Sequence, residues 1–212
     1  MEPLSSQKTT SKWKNWITIT IIALYFPYLL LYLVEVRHQI LYLLEGVPAI
    51  LAVLILLKFG NFSRQDLLLR WKHISRAGVF LLFIVIVSYG VIGLYGIFRG
   101  FFPYSFFIIG PLSAITQELY FRGSLQTIFE KNLNFSRHKS NIFQCLFFIG
   151  WHLRLYLETD TPMGTLALIL GFGYFGLIWG YQSRKDGTLL YVLLIHTIGL
   201  MGHSLFVWIL PF

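Results

Sequence analysis

Long apolar runs, separated by short polar segments, dominate this chain. Each run has about the 20 residues that an α-helix needs to cross a hydrocarbon core of roughly 30 Å. The pattern predicts helices at about residues 16–34, 39–58, 77–98, 104–129, 141–157, 164–182 and 188–211. We therefore expect an all-α fold, a polytopic transmembrane helical bundle of about seven spans, forming a single domain over residues 1–212.

Two segments carry a more specific pattern. Asn61–Arg76 mixes basic residues with leucine and tryptophan, which is typical of a helix that lies on the cytoplasmic face of the membrane. In the sixth apolar run, small residues recur at a spacing that favours close contact between helices. They are Gly171, Gly173, Gly176 and Gly180. We interpret these glycines as packing residues without a catalytic role.

The composition supports a membrane protein. Of the 212 residues, 56% are hydrophobic and 12% are charged, whereas soluble domains carry roughly 25% charged residues. The formal net charge is +8. In a membrane protein such a surplus concerns topology and contact with the lipid bilayer, so we expect no nucleic-acid partner.

The basic residues gather in alternate segments, which predicts a cytoplasmic N-terminus. The segments assigned to the cytoplasm hold most of the 17 lysines and arginines, namely Lys8, Lys12, Lys14, Lys58, Arg64, Arg70, Lys72, Arg76, Lys131, Arg137, Lys139, Arg184 and Lys185. A signal peptide is the alternative for the first run, but no small-x-small cleavage site follows it, and we expect a retained helix. The chain is then a multi-pass protein, which we place in a bacterial plasma membrane.

A few ionisable side chains remain inside the predicted spans. They are Glu118, Arg122, His152, His196 and His203, with Glu45 in the second span as an outlier that has no evident partner. Because a charged group inside a bilayer costs several kcal/mol, such residues are functional candidates by default. Glu118, His152 and His196 fall on three different spans, about 8–12 residues from the cytoplasmic ends. At 1.5 Å per residue these three side chains lie at a similar depth of roughly 12–18 Å.

The densest polar stretch is ITQELYFRG, residues 115–123. Glu118 and Arg122 are four residues apart, so they share one face of a helix and can form an ion pair. Gln117 is rotated by about 100° from Glu118 and can still face the same cavity. A buried structural ion pair explains this stretch equally well when it is considered alone.

Three motifs resemble the CPBP family of intramembrane proteases, the CAAX-protease and bacteriocin-processing family, also called Abi. The first, Gln117-Glu118-Leu-Tyr-Phe-Arg122-Gly123, is similar to the family's Glu-Glu-x-x-x-Arg. The second, Phe148-Ile-Gly-Trp-His152, matches Phe-x-x-x-His. The third, His196-Thr-Ile-Gly-Leu200, is similar to a His followed four residues later by Asn or Asp. The resemblance covers residues 104–205, and the three motifs occur in the family's order.

This resemblance implies an intramembrane endopeptidase, a hydrolase that acts on membrane-anchored peptides or proteins. If the site is active, we expect Glu118 to activate a water molecule, His152 to position that water with it, and His196 to donate to the oxyanion, with His203 as a second donor. Arg122 would neutralise or orient Glu118. Two positions depart from the family: Gln117 replaces the glutamate taken as general base, and Leu200 replaces the Asn or Asp. A neutral amide cannot take a proton from water, and a leucine cannot donate to an oxyanion.

Three alternatives stay open. A metalloprotease would bind zinc through Glu118, His152 and His196, which are zinc-ligand types. A catalytically degenerate relative would bind membrane peptides or act in immunity or regulation. A small transporter or ion-relay subunit would use the same cluster to move protons, although its charges would then be strung across the bilayer.

Overall fold

The computed structural model describes residues 4–27, 29, 38–70, 76–98 and 110–209, and the side chains of 14–27, 29, 44, 46–70, 76–98 and 110–200. The helices are α1 (Leu4–Ala23), α2 (His38–Phe59), α3 (Arg76–Phe98), α4 (Gly110–Glu118), α5 (Gln126–Lys131), α6 (Arg137–Trp151), α7 (Leu153–Leu157), α8 (Pro162–Asp186) and α9 (Leu190–Ile209). A π-helical segment, Leu119–Leu125, joins α4 to α5 without a break. The described residues contain no β-strand, which confirms the all-α class.

Two helices, α3 and α8, are long and apolar enough to cross a membrane, judged over the described residues. Few of their residues are buried in the protein, and α3 exposes large side chains such as Phe80, Phe83 and Ile86. A core helix of a soluble protein would bury these side chains, whereas lipid accommodates them. Shorter apolar helical stretches lie at Gly46–Phe59 and Leu190–Leu200. The count of seven spans, the single domain and the cytoplasmic N-terminus stay predictions.

Local sequence signals explain where the last helices begin and end. Helix α6 starts after Ser136, whose hydroxyl accepts a hydrogen bond from the Lys139 amide at 3.3 Å. Helix α8 starts after Thr161, which accepts from the Gly164 amide at 3.1 Å, and it has proline at its first position. It ends at Gly187, whose φ of 66° is a left-handed conformation that favours glycine. These capped ends define where the loops before α6, before α8 and after α8 begin or end.

The helical segment from α4 through the π segment to α5 is the centre of the bundle, and α1, α2, α6 and α9 pack against it. Tyr120 of the π segment donates its hydroxyl hydrogen bond to the Ile21 carbonyl of α1 at 2.8 Å. The Tyr120 and Phe121 rings pack against Trp151 of α6. Because buried tyrosine hydroxyls need partners, the Tyr120 contact both fills and orients the core.

Helices α6 and α8 make a close contact at two of the glycines singled out by their spacing. A Cβ atom placed on Gly176 would lie 2.8 Å from the Cys145 sulfur, and one on Gly180 would overlap Asn141 Oδ1. A hydrogen bond also joins α6 and α8 here, since the Gln144 side-chain amide donates to the Gly176 carbonyl at 2.9 Å. The predicted small-residue packing is therefore confirmed at Gly176 and Gly180, whereas no described atom lies within 4 Å of a Cβ placed on Gly171.

The expected interfacial helix at Asn61–Arg76 is wrong over its described part, residues 61–70, which forms a compact turn. Asn61 and Leu68 have positive φ angles of 54° and 59°, which an α-helix cannot contain. The Asp66 carboxylate accepts from the Ser63 amide at 2.8 Å and pairs with Lys131. Leu67 and Leu68 are buried, and the Leu68 carbonyl accepts from the Leu189 amide at 3.2 Å. The leucines therefore anchor a turn onto the bundle, and a helix there would have removed this contact.

Candidate active site

Glu118 is the last residue of α4 and lies directly before the π segment. In this segment hydrogen bonds run from residue i+5 to residue i, as seen for the Gln126 amide and the Phe121 carbonyl. The Ser124 hydroxyl adds a bond of 3.0 Å to the Leu119 carbonyl. Single π-helical turns within α-helices are rare and often occur at functional sites. The sequence carries no signal that distinguishes this turn from an ordinary helix, and we did not expect it.

One oxygen of Glu118 holds two partners. The His196 ring nitrogen Nδ1 lies 2.8 Å from Oε1, and Arg122 Nη1 lies 3.3 Å from the same oxygen. Both Glu118 and Arg122 are fully buried, and His196 is 4% exposed. The second oxygen, Oε2, is buried and has no hydrogen-bond partner among the described residues. The structure therefore brings together Glu118, Arg122 and His196, and leaves one carboxylate oxygen available.

Aromatic rings enclose this trio. The Arg122 guanidinium lies 4.2 Å from the ring centre of Phe148 and 5.7 Å from that of Trp179. The Trp179 ring also lies 4.4 Å from the His196 ring. Cations are attracted to ring faces at these distances, and all three side chains are buried from bulk solvent. Electrostatic interactions of Glu118 are therefore stronger here than they would be at an exposed position.

His152 belongs to the same cluster through Phe148. Its Nδ1 atom donates to the Phe148 carbonyl at 2.8 Å, because a carbonyl oxygen only accepts. Phe172 stacks on the His152 ring with centres 3.8 Å apart, and the Phe148 ring centre is 4.7 Å away. The Phe148 ring also lies 6.3 Å from that of His196. With Nδ1 protonated, the Nε2 atom of a neutral His152 has the lone pair that a water or substrate proton would contact.

The helix break at His152 has a structural basis. Residues 141–157 were expected as one continuous span, but α6 ends at Trp151 and α7 begins at Leu153. His152 has φ and ψ of −93° and 16°, which lies outside the α-helical region. The break places the His152 ring against Phe172 of α8.

Gln117 lies beside Glu118 but has separate partners. Its Nε2 atom donates to the Ser113 hydroxyl at 2.8 Å, and its buried Oε1 atom has no described hydrogen-bond partner. Ser113 was not expected as part of the site, although it precedes Gln117 by four residues and therefore shares its helix face. Leu200 is half-buried on α9. His203 lies on the same helix, and its side chain is outside the described residues, so its expected role as a donor stays a prediction.

Arg184 is a further residue that the sequence analysis assigned only to topology. Its Nη2 atom donates to the Arg122 carbonyl at 3.2 Å and to the Thr127 hydroxyl at 2.8 Å. Its Nε atom lies 3.2 Å from Glu130 Oε1. One planar guanidinium thus contacts the π segment and α5 together, a use for which arginine is suited and lysine is not. Arg184 therefore supports the backbone from which Arg122 projects.

The described residues offer no preformed group of three zinc ligands, since no three His, Cys, Asp or Glu side chains among them are grouped so that they could hold one metal ion. The Glu118 oxygen that faces His196 is shared with Arg122, and a guanidinium at that oxygen opposes a divalent cation. Glu118, His152 and His196 as a zinc site therefore stay a sequence-based prediction, and no chemical step is derived through a metal.

Comparison with known proteins identifies the family. A scan against protein families matches residues 79–199 to the family described as type II CAAX prenyl endopeptidase Rce1-like. No curated protein and no solved structure matches the chain. The family match covers more than half of the chain and begins before the core expected at 104–205. It includes Gln117, Glu118, Arg122, His152 and His196, and the resemblance drawn from the three motifs is confirmed. The chain therefore belongs to the Rce1-like family of CAAX-type proteases, a family of integral membrane proteins.

Proposed function

We propose that this protein is an intramembrane endopeptidase that cleaves membrane-anchored peptides or proteins, with Glu118 as the base that activates water. The buried Glu118 carboxylate carries this proposal. Its Oε1 atom is held by Arg122 and His196, and its Oε2 atom has no described partner. A catalytic base needs this combination of a fixed orientation and one open acceptor.

The step can be written with the residues of the cluster. Glu118 Oε2 takes one proton from a water molecule, and the water oxygen forms a bond to the peptide carbonyl carbon. The carbonyl oxygen becomes an oxyanion, and the C–N bond then breaks as the proton passes from Glu118 to the leaving amine. Arg122 offsets the charge of Glu118 before and after the transfer. The Nε2 atom of neutral His152 accepts a hydrogen bond from the attacking water and orients it.

His196 has two roles in this scheme. Its Nδ1–H group donates to Glu118 Oε1 and thereby fixes the carboxylate. Its Nε2 atom carries a proton only in the imidazolium form, and in that form it donates to the oxyanion. Leu200 lies four residues later, where the family's Asn or Asp would add a donor. His203, seven residues after His196, is the candidate replacement.

A specific observation favours a second candidate, a relative that binds peptides without cleaving them. Gln117 stands where the family has its general base, and its buried Oε1 atom is an acceptor with no described partner. An amide oxygen can hold a water or a peptide N–H group, but it cannot take up a proton at working pH. If Glu118 does not act as the base, the same pocket binds its ligand and releases it unchanged.

The substrate follows from the membrane setting and the family. Because the site lies in a bundle with exposed apolar helices, we expect an anchored substrate that reaches it from within the bilayer. The family description names a CAAX prenyl endopeptidase, so a farnesylated CAAX peptide is the first substrate to test. The corresponding peptide without the farnesyl group shows whether the anchor is required.

The test compares the full chain with Glu118→Gln and Gln117→Glu, each purified in neutral detergent, on a fluorogenic farnesylated peptide. We expect Glu118→Gln to lower kcat/KM by at least about 100-fold, the usual contribution of a general base. Glu158→Gln is the matched control, because Glu158 also pairs with an arginine four residues away but is exposed, and it is expected to leave kcat/KM unchanged. Cleavage of the peptide at equal rates by the native chain and Glu118→Gln would exclude Glu118 as the base.

Two further outcomes separate the alternatives. Cleavage by Gln117→Glu alone, with peptide binding by the native chain, would identify a degenerate binding protein. A stoichiometric zinc content of the purified protein, lost together with activity on chelation, would establish the metalloprotease alternative. Proton or ion flux through reconstituted vesicles that requires Glu118 would instead support the relay alternative.

A further inference from the structure

A cavity of about 240 Å³ lies between the start of α6 and the end of α8. Arg137, His138 and Lys185 line it and are exposed, whereas Arg184 and the fully buried Gln126 line its inner part. The lining contains no aspartate or glutamate. The cavity is smaller than the roughly 300–1,000 Å³ typical of drug-sized ligands, so it suits a small polar group.

The charges around the cavity are only partly compensated. Glu130 pairs with Arg184 at 3.2 Å and also attracts Arg137, so this one carboxylate is shared by two arginines of the lining, and Lys185 adds a third cation. Two arginines and a lysine around one small cavity repel each other. An anion in the cavity would reduce this repulsion.

The N-terminus of α6 also favours an anion in this cavity. Arg137 and His138 open α6, whose first turn has no acidic residue. The N-terminus of a helix has a positive partial charge and favours anions, so basic side chains there are unfavourable without a partner. An anion bound between the two helix ends would interact with this dipole as well as with the side chains.

Gln126 points to a ligand independently of the charges. It is 1% exposed, and its Oε1 atom has no hydrogen-bond partner among the described residues. Its Nε2 atom reaches the Gly180 carbonyl at 3.4 Å. A buried amide oxygen without a partner is costly, and a hydroxyl group of a bound molecule would satisfy it.

We propose that this cavity binds a phosphate group, either the phosphate of an anionic lipid headgroup or free inorganic phosphate. Arg184 and Lys185 are in the last turn of α8, a helix long enough to span the membrane, so they lie at the depth of lipid headgroups. Basic pockets between helices at this level bind phosphate-bearing headgroups in other membrane proteins. The glycerol hydroxyls of a headgroup such as that of phosphatidylglycerol would donate to Gln126 Oε1. This site is separate from Glu118, although Arg184 contacts both regions.

The test measures lipid binding by the full chain in neutral detergent, by native mass spectrometry. Phosphatidylglycerol is compared with phosphatidylcholine, and we expect at least tenfold tighter binding of phosphatidylglycerol. The variant Arg137→Gln/Lys185→Gln removes two exposed charges from the cavity and is expected to bind phosphatidylglycerol about 30-fold more weakly. The control Lys58→Gln/Arg64→Gln removes two exposed charges elsewhere on the predicted cytoplasmic side and is expected to bind like the native chain.

Competition with sodium phosphate distinguishes the two sources. Displacement of the lipid by millimolar phosphate, lost in Arg137→Gln/Lys185→Gln, would show that the site takes free phosphate, and resistance to it would identify the lipid headgroup. Equal binding by the cavity variant and the control would overturn the proposal, as would equal binding of both lipids. If the double variant is not monodisperse on gel filtration, Lys185→Gln alone is used, with about fivefold weaker binding expected.

Discussion

The buried ion pair of Glu118 and Arg122 gives the sharpest prediction on stability. The perturbations are Arg122→Met, Glu118→Gln and the two changes combined. Methionine keeps much of the arginine stem against Phe148, and glutamine keeps an oxygen that can accept from His196 Nδ1. The three variants therefore change the charge, while they largely preserve side-chain volume and the hydrogen bond from His196 Nδ1 to residue 118.

The magnitude follows from complete burial of the pair. Removing one partner of a buried ion pair leaves the other charge uncompensated and costs about 3–5 kcal/mol. Arg122→Met is expected near the lower end, about 3 kcal/mol, because His196 still donates to Glu118. Glu118→Gln leaves a fully buried guanidinium beside aromatic rings that only partly offset its charge. The double variant buries no charge at this position, and we expect it to lose only about 1 kcal/mol.

The assay is reversible unfolding in mixed micelles of neutral and denaturing detergent, analysed as a double-mutant cycle. We expect a coupling energy of at least about 3 kcal/mol. Arg154 and Glu158 supply the matched control cycle, since they are also four residues apart but are 23% and 45% exposed, and their coupling is expected at or below about 0.5 kcal/mol. A coupling below about 1 kcal/mol for Glu118 and Arg122 would show that the pair is screened like an exposed one and would refute the argument from burial.

Two further predictions concern packing and pH. Gly180→Ala places a methyl group against Asn141 and Gln144, and it is expected to lower the free energy of unfolding by about 1–3 kcal/mol. A methyl group on Gly171 has no described atom within 4 Å. Gly171→Ala is therefore expected to change the free energy of unfolding by less than about 1 kcal/mol in either direction. For Asp66, burial raises the pKa, but hydrogen bonds from Lys131 and Ser63 outweigh it and hold the pKa below its usual value. The ion pair of Asp66 and Lys131 therefore stabilises the fold above a pH of about 4, by at most about 1 kcal/mol. This contribution is lost as the pH falls through the lowered pKa of Asp66. The difference in melting temperature between the native chain and Asp66→Asn is accordingly expected to shrink below that pH, and a difference that is constant from pH 3 to pH 7 would contradict the assignment.

Helix positions were predictable because apolar runs of membrane length leave little choice of secondary structure. The expected spans at 39–58 and 77–98 agree closely with α2 (His38–Phe59) and α3 (Arg76–Phe98). The turn at residues 61–70 was not predictable from its mixture of basic and apolar residues. That mixture suits both a surface helix and a turn, and the choice depends on where Leu67 and Leu68 are buried.

Within the site, residue identities were predictable and their partners only in part. The spacing of four between Glu118 and Arg122 correctly indicated an ion pair. The contact between Glu118 and His196 joins residues 78 positions apart, and equal depth indicated only that the two were near one level. Phe172 and Trp179 were missed, because aromatic residues are common in this chain and nothing in their spacing separates those that enclose a site from those that face lipid.

The π segment connects these observations to the proposed chemistry. Glu118 ends the regular helix, and Arg122 projects from a turn whose hydrogen bonds span five residues. The position of the guanidinium therefore depends on a backbone geometry that is rarely stable without outside support. Arg184 supplies such support by donating to the Arg122 carbonyl, and the Ser124 and Thr127 hydroxyls bond to the carbonyls of Leu119 and Gly123. An ordinary helix would still place Glu118 and Arg122 on one face, so the added turn serves a different need. In this geometry Arg122 lies over Phe148, His196 contacts Glu118 Oε1, and Oε2 has no described partner, as the proposed role of Glu118 as base requires.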